Sequence, residues 1–212
     1  MTKNNNKKPK YYSSHRTRQS SKKSIEDQFN DFENIKNLLK TDKKNILEIG
    51  FGSGSSIIQL YEKSQDTYFC IESYSHGIDN INKFIKNNNI EDIHVFEGDA
   101  IEIVENYFPD NSLDEILIFF PDPWPKRKHE KRRILNKFSL NMFFNKLKYY
   151  GLIHFATDHI NYAYNTKQLI CTYANSKVTF NTNRRYRPIT NYEKRGIKRK
   201  NFVFDIILKK NN

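Results

Sequence analysis

The sequence predicts an α/β domain on a doubly wound, mostly parallel sheet, and three observations carry that prediction. From Asn45 onward, short apolar runs alternate with helical patterns, the rhythm of parallel strands joined by crossover helices. The run "EILIFF" is apolar without interruption, as a strand covered on both faces must be. Five successive strands each deliver an acid to one edge, in order Glu48, Glu72, Asp99, Asp122 and Asp158. In such sheets ligands bind beyond the carboxyl ends of the strands.

The elements follow in order. "SIEDQFNDFENIKNLLK" places Ile25, Phe29, Phe32, Ile35 and Leu39 at helical spacing behind Ser24 as N-cap. "NILEI" is the first strand and "SSIIQLYEK" a helix. "TYFCIE" is the second strand, with a helix from about His76 to Asn88. "DIHVFEG" is the third strand, "AIEIVENYF" a short helix and "EILIFF" the fourth strand. A helix through "ILNKFSLNMFFNKLK" leads to the fifth strand, "GLIHFAT", and to the helix "HINYAYNTKQLICTYAN". "KVTFNT" and "NFVFDIIL", separated by a basic loop, read as two last strands in a C-terminal antiparallel hairpin, making seven. Residues 1–23 read as a basic flexible arm and residues 24–212 as a single domain.

The chain carries a formal net charge of +12, and its distribution matters more than its sum. Residues 1–23, 126–133 and 184–200 are net +8, +5 and +7, so the remainder is net −8. Basic blocks on an otherwise acidic domain are the footprint of a polyanion binder. No apolar run approaches the roughly 20 residues of a membrane span. The N-terminus lacks the apolar stretch of a signal peptide, so a cytoplasmic location is expected. Cys70 and Cys171 form no CxxC pair and sit among apolar neighbours, which predicts reduced core residues. With no apolar run of spanning length no membrane partner is expected, and the histidines show no metal-ligand spacing, so no metal site is expected either. No association motif decides between a monomer and a homodimer.

In "LEIGFGSGSS", Gly50, Gly52 and Gly54 lie between a strand and a helix. The dinucleotide fingerprint would need glycine where Ser55 stands, and no G-K-[ST] follows. Glu72 lies at the tip of the next strand, where an acid can accept from both ribose hydroxyls. Asp99, in "EGDA", stands where it can meet an adenine amino group. This is the pattern of a nucleoside ligand without pyrophosphate. It resembles the class I S-adenosylmethionine (SAM) methyltransferases and their Rossmann-like fold, with Glu48 facing the methionine end directly or through water.

Three further stretches, "FFPDPWPKRKHEKRR", "FATDH" and "RPITNYEKRG", narrow the resemblance. Together they are similar to the bacterial tRNA (guanine-N7-)-methyltransferase family, over about Ile25 to Leu208. The resemblance implies an enzyme with SAM as cofactor and tRNA as partner, acting on a guanine of the variable loop. It implies cofactor contacts at Glu48, Glu72, Asp99 and Asp122, beside the glycines, and a catalytic role for Asp122. It assigns substrate contacts to Lys126, Asp158, Thr190, Asn191, Tyr192 and Glu193. It assigns RNA contacts to Lys128, His129, Glu130, Lys131, Arg132 and Arg133. Pro125 stands where some members carry histidine.

The residue chemistry agrees. Guanine N7 has a free lone pair, so its attack on a methyl sulfonium needs no base, and positioning dominates. The product ring is cationic, so a fixed carboxylate stabilises developing charge. Asp122 and Asp158 can also accept from guanine N1–H and its exocyclic amine. Taken alone, Asp122 also suits a turn-capping role beside proline. Trp124 suits either stacking on a base or wedging the loop. Lys126 to Arg133 is expected to open the next helix and follow a phosphate path. Arg184, Arg185 and Arg187 suit either phosphate contacts or a solvated loop. D-P-W also resembles the D-P-P-Y turn of exocyclic-amine methyltransferases, whose second proline is here replaced by Trp124. A non-catalytic RNA-binding protein on the same fold is the other alternative, opposed by the glycine loop and the strand-end acids.

Overall fold

The computed structural model describes residues 32–40, 42–172, 176–181, 184 and 186–212. The predicted basic arm, residues 24–31 of the first predicted helix, and Arg185 lie outside them. What is described of the first helix includes α1, Ile35–Leu38, which buries Ile35. Just before it, Phe32 packs its ring 5.9 Å from Phe96 and 5.0 Å from Tyr107.

The seven predicted strands form one sheet in the order β3-β2-β1-β4-β5-β7-β6. They are β1 Asn45–Ile49, β2 Thr67–Glu72, β3 Ile93–Glu97, β4 Leu113–Phe119, β5 Leu147–Thr157, β6 Ser176–Asn181 and β7 Phe204–Lys210. The first five run parallel, while β7 is antiparallel to both β5 and β6. Helices α2 (Ser55–Ser64), α3 (Ser75–Asn88), α4 (Ala100–Tyr107), α5 (Lys137–Lys146) and α6 (Ile160–Ile170) cover the faces.

Strand periodicity divides the core. Leu47, Ile49, Phe69, Ile71, Ile116 and Ile118 face one apolar layer. Ile46, Tyr68, Cys70, Leu117, Phe119 and Ala156 face the other. Alternate residues of a strand point to opposite faces, so each strand feeds both layers. Winding reverses between β1 and β4, and the crevice beyond their carboxyl ends is the expected ligand site.

Three expectations need correction. Lys126 to Arg133 does not open α5: Arg127–Arg132 is a separate 3-10 helix, and α5 has its own capping box at Asn136. Although β6 and β7 pair antiparallel as expected, the predicted basic loop contains a helix, α7, Asn191–Lys198. Its buried residues are Glu193 and Gly196, so no apolar stripe announces it. Cys70 is buried as expected, but Cys171 is exposed at the end of α6. Among the described residues no helix is long and apolar enough to cross a membrane, and no cluster could hold a metal ion.

Candidate active site

The loop after β1 turns through Gly50, Gly52 and Gly54, all at positive φ. Gly54 shows why glycine is needed there: at φ 83° it caps α2, and a Cβ would lie 2.4 Å from Ile81. Glu72 clasps the loop, because Oε2 accepts from the Gly52 amide at 2.8 Å. Its Oε1 accepts from the Ser73 and Tyr74 amides at 2.7 and 3.0 Å. Burial raises the Glu72 pKa, and these backbone donors pull against that rise. Asp99 caps α4, accepting from the Ile101 amide at 2.9 Å.

These groups open onto a cleft of about 470 Å³ that Gly50, Gly52, Glu72, Asp99, Asp122 and Tyr192 help to line. That volume suits a cofactor-sized ligand. Three of the five strand-end acids therefore converge there; Glu48 and Asp158 do not.

Glu48 is 1% exposed and faces the layer beneath α2, where Ser56 donates to its Oε1 at 2.6 Å. Its Oε2 has no protein partner, and burial pushes the carboxyl up to about 7. The folded state thus holds the proton more tightly than the unfolded chain, whose carboxyl titrates near 4.5. Stability from this group is full below that value and is lost as pH rises through 7. Glu48→Gln, which stays neutral, should recover on the order of 3 kcal/mol at pH 8. Thermal melts of both proteins at pH 5 and pH 8 test this: only the wild type should lose that increment.

Asp122 sits on a strained turn. Phe120 at φ 51° and Trp124 at φ 41° flank it, backbone conformations that non-glycine residues adopt at a cost. The turn is held from outside. The Phe120 amide donates to the Ala156 carbonyl at 2.8 Å, and Arg133 Nε donates to the Pro123 carbonyl at 2.9 Å. Arg132 lies 5.0 Å over the Trp124 ring, and His129 meets that ring edge-on at 5.8 Å. Of the two readings of Trp124, its contacts are those of a packed wedge.

The basic run consequently divides. Arg133 is 3% exposed, pairs with Glu130 at 3.3 Å and stacks 4.9 Å from Tyr162, so its guanidinium is turned inward, while the Glu130 side chain stays 40% exposed. Lys126, Lys128 and Lys131 are exposed, while His129 and Arg132 are half-buried on Trp124.

The late motif divides too. Thr190 caps α7, its hydroxyl accepting from the Glu193 amide at 3.1 Å. Glu193, expected at the substrate, is 2% exposed and bound to Arg187 at 2.6 Å. Asp158 accepts from Asn201 at 2.9 Å and presses on Gly196, where a Cβ would lie 2.7 Å from its Oδ2. It fastens α7 instead of lining the cleft. Asn191 reaches Ser53 on the glycine loop at 3.5 Å. Tyr192, 43% exposed, reaches the cleft wall beside Gly52.

Arg187, read as a phosphate contact or loop cation, is buried between acids, whereas Arg184 is partly exposed beside Glu193 at 3.4 Å. Sequence reasoning missed Arg195, which lines the cleft with its guanidinium 5.8 Å over Tyr192. The signal was the spacing Tyr192 to Arg195, one helical turn, legible only once that stretch is known to be helical.

A family model described as "Putative methyltransferase" matches residues 42–206. The tRNA (guanine-N(7)-)-methyltransferase of Francisella philomiragia is 38% identical over 177 residues, covering 82% of this chain and 77% of that protein. The enzyme of the same name from Neisseria meningitidis serogroup A is 37% identical, covering 80% and 73%. A solved rRNA methylase from Streptococcus thermophilus superposes with a TM-score of 0.56 at 10% identity, covering 92% of this chain and all of that one, a likeness of fold. With its glycine loop, its acid-lined cleft and this identity over most of its length, the chain belongs to the tRNA (guanine-N7-)-methyltransferase family.

Proposed function

We propose that the protein transfers a methyl group from SAM to N7 of a guanine in the variable loop of tRNA. The observation that carries this reading is the placement of Asp122: an exposed carboxylate on a strained turn, at the mouth of the cleft, followed at once by a basic run.

The residues present fit the cofactor. Glu72 retains acceptor capacity for ribose hydroxyls beyond its backbone bonds, and Asp99 faces the same cleft for the adenine amine. Gly50 and Gly52 let the loop backbone approach the ligand, and Glu48 holds the first turn of α2 through Ser56. SAM, when bound, supplies an electrophilic methyl group on a sulfonium. The chain's task is alignment. Asp122 accepts from the Watson–Crick edge of guanine and stabilises the positive charge that grows on the ring. Tyr192 offers its ring at the cleft, and Arg195, 5.8 Å over that ring, is a cation there for an anionic group of either ligand. With Asp158 tied to Asn201, guanine selection rests on Asp122.

Lys126, Lys128 and Lys131 take the phosphate backbone. Replacing Lys128 and Lys131 with Ala should lower the salt slope of tRNA binding by roughly 0.7 to 0.9 for each phosphate that is no longer neutralised. A slope equal to wild type, from titrations at several salt concentrations, would remove these lysines from the interface. The reading as a whole is tested with unmodified tRNA and methyl-labelled SAM, followed by digestion to nucleosides and mapping of the label. Label in N7-methylguanosine of the variable loop supports it. Label on an exocyclic amine, or tRNA binding without label, overturns it.

A further inference from the structure

We propose that Arg187 is a positioning residue for methyl transfer: its buried guanidinium ties the helix carrying Tyr192 and Arg195 to the strained turn carrying Asp122. The inference rests on the function proposed above.

Arg187 is 1% exposed. Its Nε and Nη2 meet the two carboxylate oxygens of Asp205 on β7 at 2.7 and 3.0 Å. Its Nη1 reaches Glu193 on α7 at 2.6 Å and the Pro188 carbonyl at 3.3 Å. Its Cζ lies 5.5 Å over the ring centre of Phe119 and 5.3 Å over that of Phe120. His154 on β5 holds Asp205 from the other side, with Nε2 2.7 Å from Oδ1.

These contacts lead to both walls of the cleft. Phe119 ends β4, and Phe120 lines the cleft at φ 51°, two residues before Asp122. Glu193 follows Tyr192 directly in α7, and Arg195 lies two residues further on the same helix. Only a planar guanidinium can serve two carboxylates through its edges and two aromatic rings through its face. A lysine ammonium has three donors on a single nitrogen and no planar fork, so from one place it cannot reproduce the paired bonds to both Asp205 oxygens together with the bond to Glu193. Stability alone does not call for this arrangement, since buried ion pairs can often be replaced by apolar groups without loss. What an apolar core would not supply is a fixed distance between two walls.

The experiment uses the full-length chain and its one tryptophan, Trp124, which lies in the turn and reports its order by fluorescence. Arg187→Lys keeps the charge. The neutral triple variant Arg187→Met, Glu193→Gln, Asp205→Asn removes all three charges together, so that no buried charge is left unpaired. In whichever variant melts cooperatively, kcat should fall by about 10²-fold, the cost of misplacing reacting groups by an ångström or so. KM for tRNA should stay near wild type, because the lysines that hold RNA are untouched. Acrylamide should quench Trp124 more strongly than in wild type, which a merely stabilising residue would not cause in folded protein. Wild-type quenching in a folded variant overturns the proposal, whatever its rate. If the wild type yields no N7-methylguanosine, the proposed function fails, and the quenching comparison still decides whether Arg187 holds the turn.

Discussion

Asp122→Asn is expected to lower methyl transfer by about 10² to 10³-fold, the usual cost of deleting one preorganised electrostatic contact to a transition state. The exchange keeps the size of the side chain but removes its charge and turns one acceptor oxygen into an amide donor. The side chain is exposed at the cleft, so no buried partner is left unpaired and the melting temperature should not move. Binding of tRNA should also persist, because the exposed lysines of the following segment are intact. Single-turnover rates with saturating SAM and tRNA measure the loss of transfer directly. A rate close to wild type would remove Asp122 from the chemistry and leave it as a turn residue.

Gly77→Ala should abolish cofactor binding and destabilise the fold. In an ordinary helix this exchange stabilises by roughly 0.4 to 1 kcal/mol, because glycine loses more entropy on folding. Here the sign reverses. Gly77 lies in the first turn of α3, and a Cβ would fall 1.7 Å from the carbonyl oxygen of Gly52. That oxygen belongs to loop backbone, so no flexible side chain can yield. Either α3 or the glycine loop must move, and with it the bond from the Gly52 amide to Glu72. Overpacking of this kind costs about 1 to 3 kcal/mol or more. Calorimetric titration with SAM and a thermal melt read both consequences. A variant at least as stable as wild type, with unchanged affinity, would show that α3 does not seat on the loop.

The sheet was legible because its signals are local. Runs such as "TYFCIE" and "EILIFF" carry strand length and two-sided burial within a few residues, and the glycines of "GFGSG" mark the turn between β1 and α2. Counting to the end of each strand placed Glu72, Asp99 and Asp122 at the ligand edge, where they line the cleft. Helix α7 was missed for a physical reason: it buries a glutamate and a glycine, so periodicity of apolar residues has nothing to detect.

The sequence by itself determined the order of the strands, their ends and the residues that reach them. Tertiary structure alone decided which of those residues face a ligand. Glu48 and Glu72 both lie near strand ends, yet one points into the layer under α2 and the other into the cleft. Arg133 and Lys131 are two positions apart in a basic run, yet one is buried on Tyr162 and the other is exposed. Arg187 reads as a phosphate contact or loop cation and Glu193 as a substrate contact until Asp205, from a distant strand, completes their burial as a paired cluster. Spacing along a chain fixes where a side chain starts. Whether it meets solvent, ligand or an opposite charge depends on what the fold brings across from it, and those partners lie outside any local window.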